Sequence, residues 1–247
     1  ALRSRLKAAP DLERARTRLR LGRGGPRDLQ AIGRALSAGD AAARELAAVE
    51  GGVPSRLEAA IRVLLLANTP DLKAFASDLS QALNDSLPML ARDGGFIAPG
   101  WDSALDEARG LRDDSRRIIA ELQSRYAGET GISALKIKFN NVLGYFIDVP
   151  ARHGDALMAP PLSETFIHRQ TLAGNIRFST RELSDLAGRI SRAEEEAKAR
   201  EGELFNGFCA GVDALNETLA TSARAIADLD VAGANAAWAI ESDAVRP

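Results

Sequence analysis

The sequence predicts a mainly α fold: a helical core bundle and a long antiparallel two-helix arm, interrupted at its tip by a small antiparallel β element. Three observations predict it. Alanine, leucine, arginine and glutamate recur along 247 residues that are 45% hydrophobic but only 5% aromatic, a mixture of helix formers that packs through aliphatic contacts. Two stretches repeat apolar residues at three and four positions for longer than an ordinary helix needs. Between them lies the one region where β-branched and aromatic residues alternate with polar ones.

Taken in order, Pro10 and Asp11 open a helix through Leu12, Ala15 and Leu19, and Gly22, Gly24, Gly25 and Pro26 stop it. Asp28 is placed to cap the next helix, whose inner positions are Leu29, Ile32 and Leu36, and further helices are expected at 54–67 and 71–83. Residues 84–100 read as a crossing loop with a brief extended piece at Phe96-Ile97. From the cap Asp102, the stripe Leu105, Ala108, Leu111, Ser115, Ile118, Leu122 and Tyr126 defines a helix of about 25 residues, roughly 37 Å long.

A second stripe begins near Arg181 and runs through Leu183, Leu186, Ile190, Ala193, Ala197, Arg200, Leu204, Phe208, Val212, Leu215 and Leu219. Unbroken, it spans about 40 residues, or roughly 60 Å. Gly188, Gly202, Gly207 and Gly211 each cost about 1 kcal/mol relative to alanine in a helix, so its later half is expected to bend or break.

Between the stripes, Ile137 and Phe139 alternate with Lys136 and Lys138 before Asn140-Asn141, and Tyr145 to Val149 follow Gly144, which together read as a hairpin. Strands are also expected at 165–167 and 176–178. Helices flanking a compact insertion run antiparallel, so the insertion sits at the end of a two-helix arm. The chain divides into a helical core and ascending arm (1–126), a β-rich insertion (127–181) and a descending helix returning to the core (182–247).

Charge is unevenly shared. The chain carries −2 overall, but residues 136–181 hold six cations, Lys136, Lys138, Arg152, Arg169, Arg177 and Arg181, against Asp148, Asp155 and Glu164. The local charge of +3 leaves −5 for the remainder. Lysine and arginine mixed with asparagine, glutamine and threonine is the composition of a surface that grips phosphates. Asn140-Asn141 and His168-Arg169-Gln170-Thr171 fit it. From charge alone the plainer reading is a basic hairpin that is merely solvated, or one whose lysines protect sheet edges from pairing.

Catalysis has little to stand on. None of the five lysines follows a glycine, so the nucleotide-binding P-loop pattern is missing. One cysteine and two histidines fifteen residues apart make no metal-ligand spacing, and Ser163, His153 and Asp155 lack nucleophile-elbow glycines. Glu194-Glu195-Glu196 point about 100° apart on a helix and form a solvated face. Trp101 and Trp238 are expected to be packing anchors, and Cys209 a small buried hydrophobe in a reducing compartment such as the cytoplasm. No stretch reaches the roughly 20 apolar residues that span a bilayer, so no membrane partner is expected. Beginning at Ala1 without an initiator Met, the sequence reads as an excised piece.

Leu135 to Ile147, LKIKFNNVLGYFI, followed by Arg169-Gln170-Thr171-Leu172, resembles the clamp segment of the MutS family of bacterial DNA mismatch-repair proteins. Asp11 to Leu29 resembles the opening of that family's core domain, Gly95 to Arg117 the segment leading into its lever, and Leu229-Asp230-Val231 with Arg246-Pro247 the approach to its ATPase domain. The resemblance implies that the arm is a lever and the insertion a clamp that touches the DNA backbone and reads no bases. By position it carries DNA contact onto Asn140, Asn141, Arg169, Gln170, Thr171 and Arg177.

After Leu172 the family often has Lys-Asn-Ala-Glu-Arg-Tyr. Here Ala173-Gly174-Asn175-Ile176-Arg177-Phe178 keeps the arginine and aromatic but loses the lysine, and moves a side-chain amide to Asn175. The family's mismatch-wedging Phe-x-Glu is absent. The resemblance implies no catalysis or cofactor within this sequence; ATP and Mg belong to the full-length family protein, which acts on double-stranded DNA as a homodimer with mismatch-repair partner proteins. The rival expectation is a helical arm that binds partner helices, with an incidental basic tip.

Overall fold

The computed structural model describes residues 2–50 and 52–243 and divides into two compact units, residues 1–101 with 201–247, and residues 102–200. Arg246-Pro247, part of the family resemblance, lie outside the described residues.

The first unit is helical. α1 (Leu2–Ala8) and α2 (Leu12–Arg20) precede α3 (Pro26–Ala47), α4 (Ser55–Leu64) and α5 (Pro70–Ala82). Asp11 caps α2, its carboxylate accepting the Arg14 N–H at 2.9 Å. Asp28 works differently from the expectation. Pro26 already starts α3, so Asp28 sits in its first turn and its carboxylate reaches back to the Gly25 N–H at 2.9 Å. Leu6, Ala42, Ala43, Ala60, Ile61, Leu64, Ala225 and Leu229 form one apolar core here. The crossing loop is tied down by Glu201, a buried carboxylate accepting the N–H groups of Gly95 at 2.7 Å and Ile97 at 3.3 Å. An isolated bridge, Leu83 to Ile97, supplies the expected extended piece.

The second long stripe is two helices, α8 (Arg181–Ala214) and α9 (Asn216–Glu241). The break falls at Leu215 and at none of the four glycines. Close packing explains Gly211, because a Cβ there would lie 2.7 Å from Phe75 Cε2. At the break α2 grips both sides: Arg20 Nε donates to Asp213 Oδ1 at 3.1 Å, and Arg16 Nη1 donates to the side-chain Oδ1 of Asn216. Trp101 packs on Phe208 with ring centroids 6.2 Å apart, as a packing anchor should. Trp238 does not. It is 63% exposed, because no described residue of α9 beyond Leu229 is buried.

The second unit contains α6 (Ser103–Thr130), the first twenty residues of α8 and the sheet. Asp102 caps α6 by accepting the Leu105 N–H at 2.9 Å, and Gly131 ends it in the left-handed conformation at φ 66°. The two helices run antiparallel: Asp102 pairs with Arg200, Arg116 with Glu194, and Arg125 with Glu182. On α6 the inward residues are Leu105, Ala108, Ser115, Ile119, Leu122 and Tyr126, while Leu111 and Ile118, expected inside, are exposed. A 3-4 spacing passes through 112 and 119, and the half-buried Arg112 fills the slot that an apolar stripe assigns to Leu111.

Strands β1 (Lys136–Asn140), β2 (Gly144–Pro150), β3 (Ile167–Thr171) and β4 (Asn175–Ser179) form an antiparallel sheet in the order β1-β2-β4-β3. β3 lies two residues later than expected, because Phe166 turns into the core. A short helix, α7 (Gly154–Met158), occupies the β2–β3 connection. One face of the sheet, with Ile147, Val149, Ile176 and Phe178, packs on Ile119, Leu122 and Tyr126 of α6 and on Leu183, Leu186 and Ile190 of α8. The Tyr126 hydroxyl meets Thr180 Oγ1 at 2.8 Å beside that core, and the same Thr180 oxygen accepts the Leu183 N–H at 3.0 Å. Among the described residues no helix is long and apolar enough to cross a membrane.

Candidate functional site

Strand alternation separates the residues of the sheet. Ile137 pairs with Ile147 and Ile147 with Phe178 on the helix-facing side. The intervening positions, Lys136, Lys138, Phe146, Asp148, Asn175, Arg177 and Gln170, therefore share the opposite face. Register makes this face a cluster: Lys138 lies across from Phe146, Asp148 across from both Lys136 and Arg177, and Arg177 across from Gln170. All four strands contribute.

Asp148 is its hub. Only 7% exposed, its Oδ2 accepts Lys138 Nζ at 2.6 Å and Asn175 Nδ2 at 3.0 Å, and its Oδ1 lies 4.0 Å from Arg177 Nε. The Arg177 guanidinium sits 4.5 Å from the centroid of the Phe146 ring, a cation–π contact, and its Nη1 donates to Gln170 Oε1 at 2.9 Å. The Nε of Arg177 is fully buried and makes no hydrogen bond. Lys138 is the more exposed partner, with its side chain 53% exposed against 8% for Asp148. The lone carboxylate leaves this face positive when Lys136, Lys138 and Arg177 are counted.

The six residues singled out by the sequence fall in three places. Gln170 and Arg177 meet on this face. Arg169 lies at a β-bulge, the irregularity between His168 and Gln170, is exposed, and has no hydrogen-bond or ion-pair partner among the described residues. Thr171 accepts or donates a 3.0 Å hydrogen bond with His168 Nε2, whose ring stands edge-on to Phe178. Asn140 shapes its turn: its Oδ1 accepts the N–H groups of Val142 at 3.0 Å and Leu143 at 2.7 Å, and the exposed Asn141 follows. Sequence reading did not single out Lys138, Asp148 and Phe146 for the site. The signal available was period-2 spacing, since 136, 138, 146 and 148 fall on one side of a hairpin through Asn140 and Gly144.

Elsewhere, Asp102 is held by two nitrogens of Arg200, at 3.0 and 2.8 Å; that hydrogen bonding, with the Leu105 N–H, lowers its carboxyl to about 2. Burial, helped by Asp213, pushes the half-buried Cys209 thiol up to about 11, which suits packing and not nucleophilic chemistry.

A helix pair interrupted by a small sheet, with cations gathered on the sheet's free face, defines a helical-arm insertion module. Residues 100–196 of the chain match the family model described as MutS family domain IV. Over its whole length the chain is 49% identical to the DNA mismatch repair protein MutS of Rhodopseudomonas palustris (strain BisB18), 46% to that of Nitrobacter winogradskyi and 47% to that of Caulobacter sp. (strain K31), covering 27% of each relative. The chain is thus similar to MutS proteins along its whole length, and it spans about a quarter of the length of the curated relatives it matches.

Proposed function

We propose that this chain is the lever and clamp region of a mismatch-repair protein and that it grips the DNA backbone without reading bases. The observation that carries the reading is the face of the sheet turned away from the helices, where Lys138, Asn175 and Arg177 surround one buried carboxylate and Gln170 accepts from the arginine. Cations neutralise phosphates, and neutral amides fix their position without sensing sequence. Asn140, Asn141, Arg169, Gln170, Thr171 and Arg177 are proposed as contacts, with the exposed and unpaired Arg169 adding a further cation from β3.

In this reading residues 127–181 are the clamp, and α6 and α8 carry its movement toward the nucleotide-binding part of the whole protein. The chain itself performs no reaction. ATP, Mg, homodimerisation and mismatch-repair partner proteins belong to the whole protein's cycle, in the cytoplasm. The names of the relatives as DNA mismatch repair proteins support the reading.

Binding of a matched duplex by the purified chain, measured against salt, tests it. Each phosphate neutralised contributes about 0.9 to the logarithmic salt slope, so Arg169→Ala with Arg177→Ala should lower the slope by roughly one to two. Equal slopes would refute the contacts, and a strong preference for a mismatched duplex would refute backbone-only recognition. A second reading, an arm that binds partner helices, is favoured by Leu111 and Ile118, 54% and 37% exposed two turns apart on α6. It predicts that duplex binding is absent and that Leu111→Lys with Ile118→Lys abolishes a protein contact.

A further inference from the structure

We infer that Lys138 is a phosphate ligand of this face held in reserve by Asp148, and that Arg177 Nε takes its place on the carboxylate when DNA arrives. The inference rests on the backbone-gripping reading and deepens it, by naming a further binding residue and what controls it.

The two partners of the ion pair differ in freedom. Asp148 lies on the inner strand β2, is nearly buried, and is also held by Asn175. Lys138 lies on the edge strand β1 and is half exposed. An approaching phosphate can therefore draw away the lysine but not the aspartate. Losing the lysine would ordinarily leave a buried carboxylate short of a cation, which is costly.

Here a replacement is already in place. Arg177 Nε is buried, lacks any acceptor, and stands 4.0 Å from Oδ1, the carboxylate oxygen that neither Lys138 nor Asn175 uses. A shift of about 1 Å would bring it into hydrogen-bond range. Stacking on Phe146 and the bond to Gln170 guide the guanidinium along that path. The exchange satisfies a buried donor, keeps Asp148 neutralised and releases a flexible ammonium to the nucleic acid. An unpaired buried Nε and a paired exposed lysine on the same carboxylate are both accounted for.

Asp148 thereby sets affinity. It imposes a competition that each phosphate must win, which keeps the grip weak enough to release. The aspartate is thus expected to oppose binding through Lys138 specifically and not merely through its charge.

The test is duplex binding by the chain across a salt series, using Lys138→Met, Asp148→Asn and the double variant. Lys138→Met, at an exposed edge position, is expected to weaken binding and lower the logarithmic slope by about 0.9. Asp148→Asn is expected to tighten binding about threefold to fivefold, the factor carried by a partly exposed ion pair. In the Lys138→Met background that gain should vanish. Circular dichroism and melting of each variant separate a folding defect from a binding effect, and Lys138→Met alone keeps the inference refutable if Asp148→Asn unfolds.

An unchanged slope in Lys138→Met, a weaker Asp148→Asn that remains folded, or a gain that survives without Lys138 would overturn the exchange while leaving the gripping reading standing. Failure of every variant, and of the unaltered chain, to bind duplex at low salt would overturn both. Binding by Asp148→Asn with none by the unaltered chain would also overturn both, because the exchange requires DNA to draw Lys138 away from the unaltered carboxylate.

Discussion

Replacing Asp102 by alanine removes two things that the structure separates cleanly. Its Oδ1 caps α6 through the Leu105 N–H at 2.9 Å, and the carboxylate receives Arg200 Nε at 3.0 Å and Nη2 at 2.8 Å. The cap is worth about 1 kcal/mol. The ion pair adds about another 1 kcal/mol, since the Arg200 side chain is 40% exposed and solvent screens it. Asp102→Ala should therefore cost about 2 kcal/mol, and Asp102→Asn, which keeps a capping oxygen, about half of that.

Because the folded-state pKa of about 2 lies below the ordinary 3.8, the carboxylate contributes stability that is fully present above about pH 4 and lost as pH falls toward 2. Urea unfolding, with hydrogen exchange at the Leu105 amide, should show the full penalty at pH 7 and a clearly smaller one at pH 3. Equal penalties for alanine and asparagine would refute the capping half of the reasoning. A penalty for alanine unchanged between pH 7 and pH 3 would refute the ionic half.

Further outcomes follow from packing. Gly211→Ala should destabilise by about 1–3 kcal/mol because the new methyl meets Phe75, whereas Gly207→Ala, which meets nothing within 4 Å, should stabilise by up to about 1 kcal/mol; urea midpoints distinguish them. With its pKa raised from 9.0 to about 11, Cys209 should alkylate at pH 8 about a hundredfold more slowly than a free thiol, and equal rates in a thiol-labelling assay would contradict its burial. Tyr126→Phe removes a buried hydroxyl bonded to Thr180 and should cost about 1 kcal/mol in thermal unfolding, with no loss showing that water replaces it.

Much of this architecture is legible in local chemistry. Asp11 and Asp102 announce helix starts because a short acceptor beside exposed N–H groups has one obvious use, and the hairpin through Asn140 and Gly144 follows from alternation. On α6 the apolar pattern selects Leu111 and Ile118, one residue before the inward positions 112 and 119. The inward stripe requires an arginine, Arg112, to point partly inward, and its long aliphatic stem permits that while a hydrophobicity pattern forbids it. Likewise the glycines of α8 suggested breaks, yet helix propensity yields where packing demands a missing side chain, as at Gly211 against Phe75.

The candidate site was only half legible, for a topological reason. Alternation marks the strands at 165–167 and 176–178 but does not say which of them pairs with β2, and so does not place Arg177 beside Asp148. The chain runs through residues 151–166 and sets β4 against β2, with β3 outermost. That pairing puts Asp148 across from Arg177, and the β1 register brings Lys138 to the same carboxylate. Charge counting could find a +3 region but not that one of its acids sits at the centre of the cations. Where a carboxylate stands among phosphate-gripping groups, total charge predicts only how strongly a surface attracts DNA; which cation is free to hold it depends on the partner each already has.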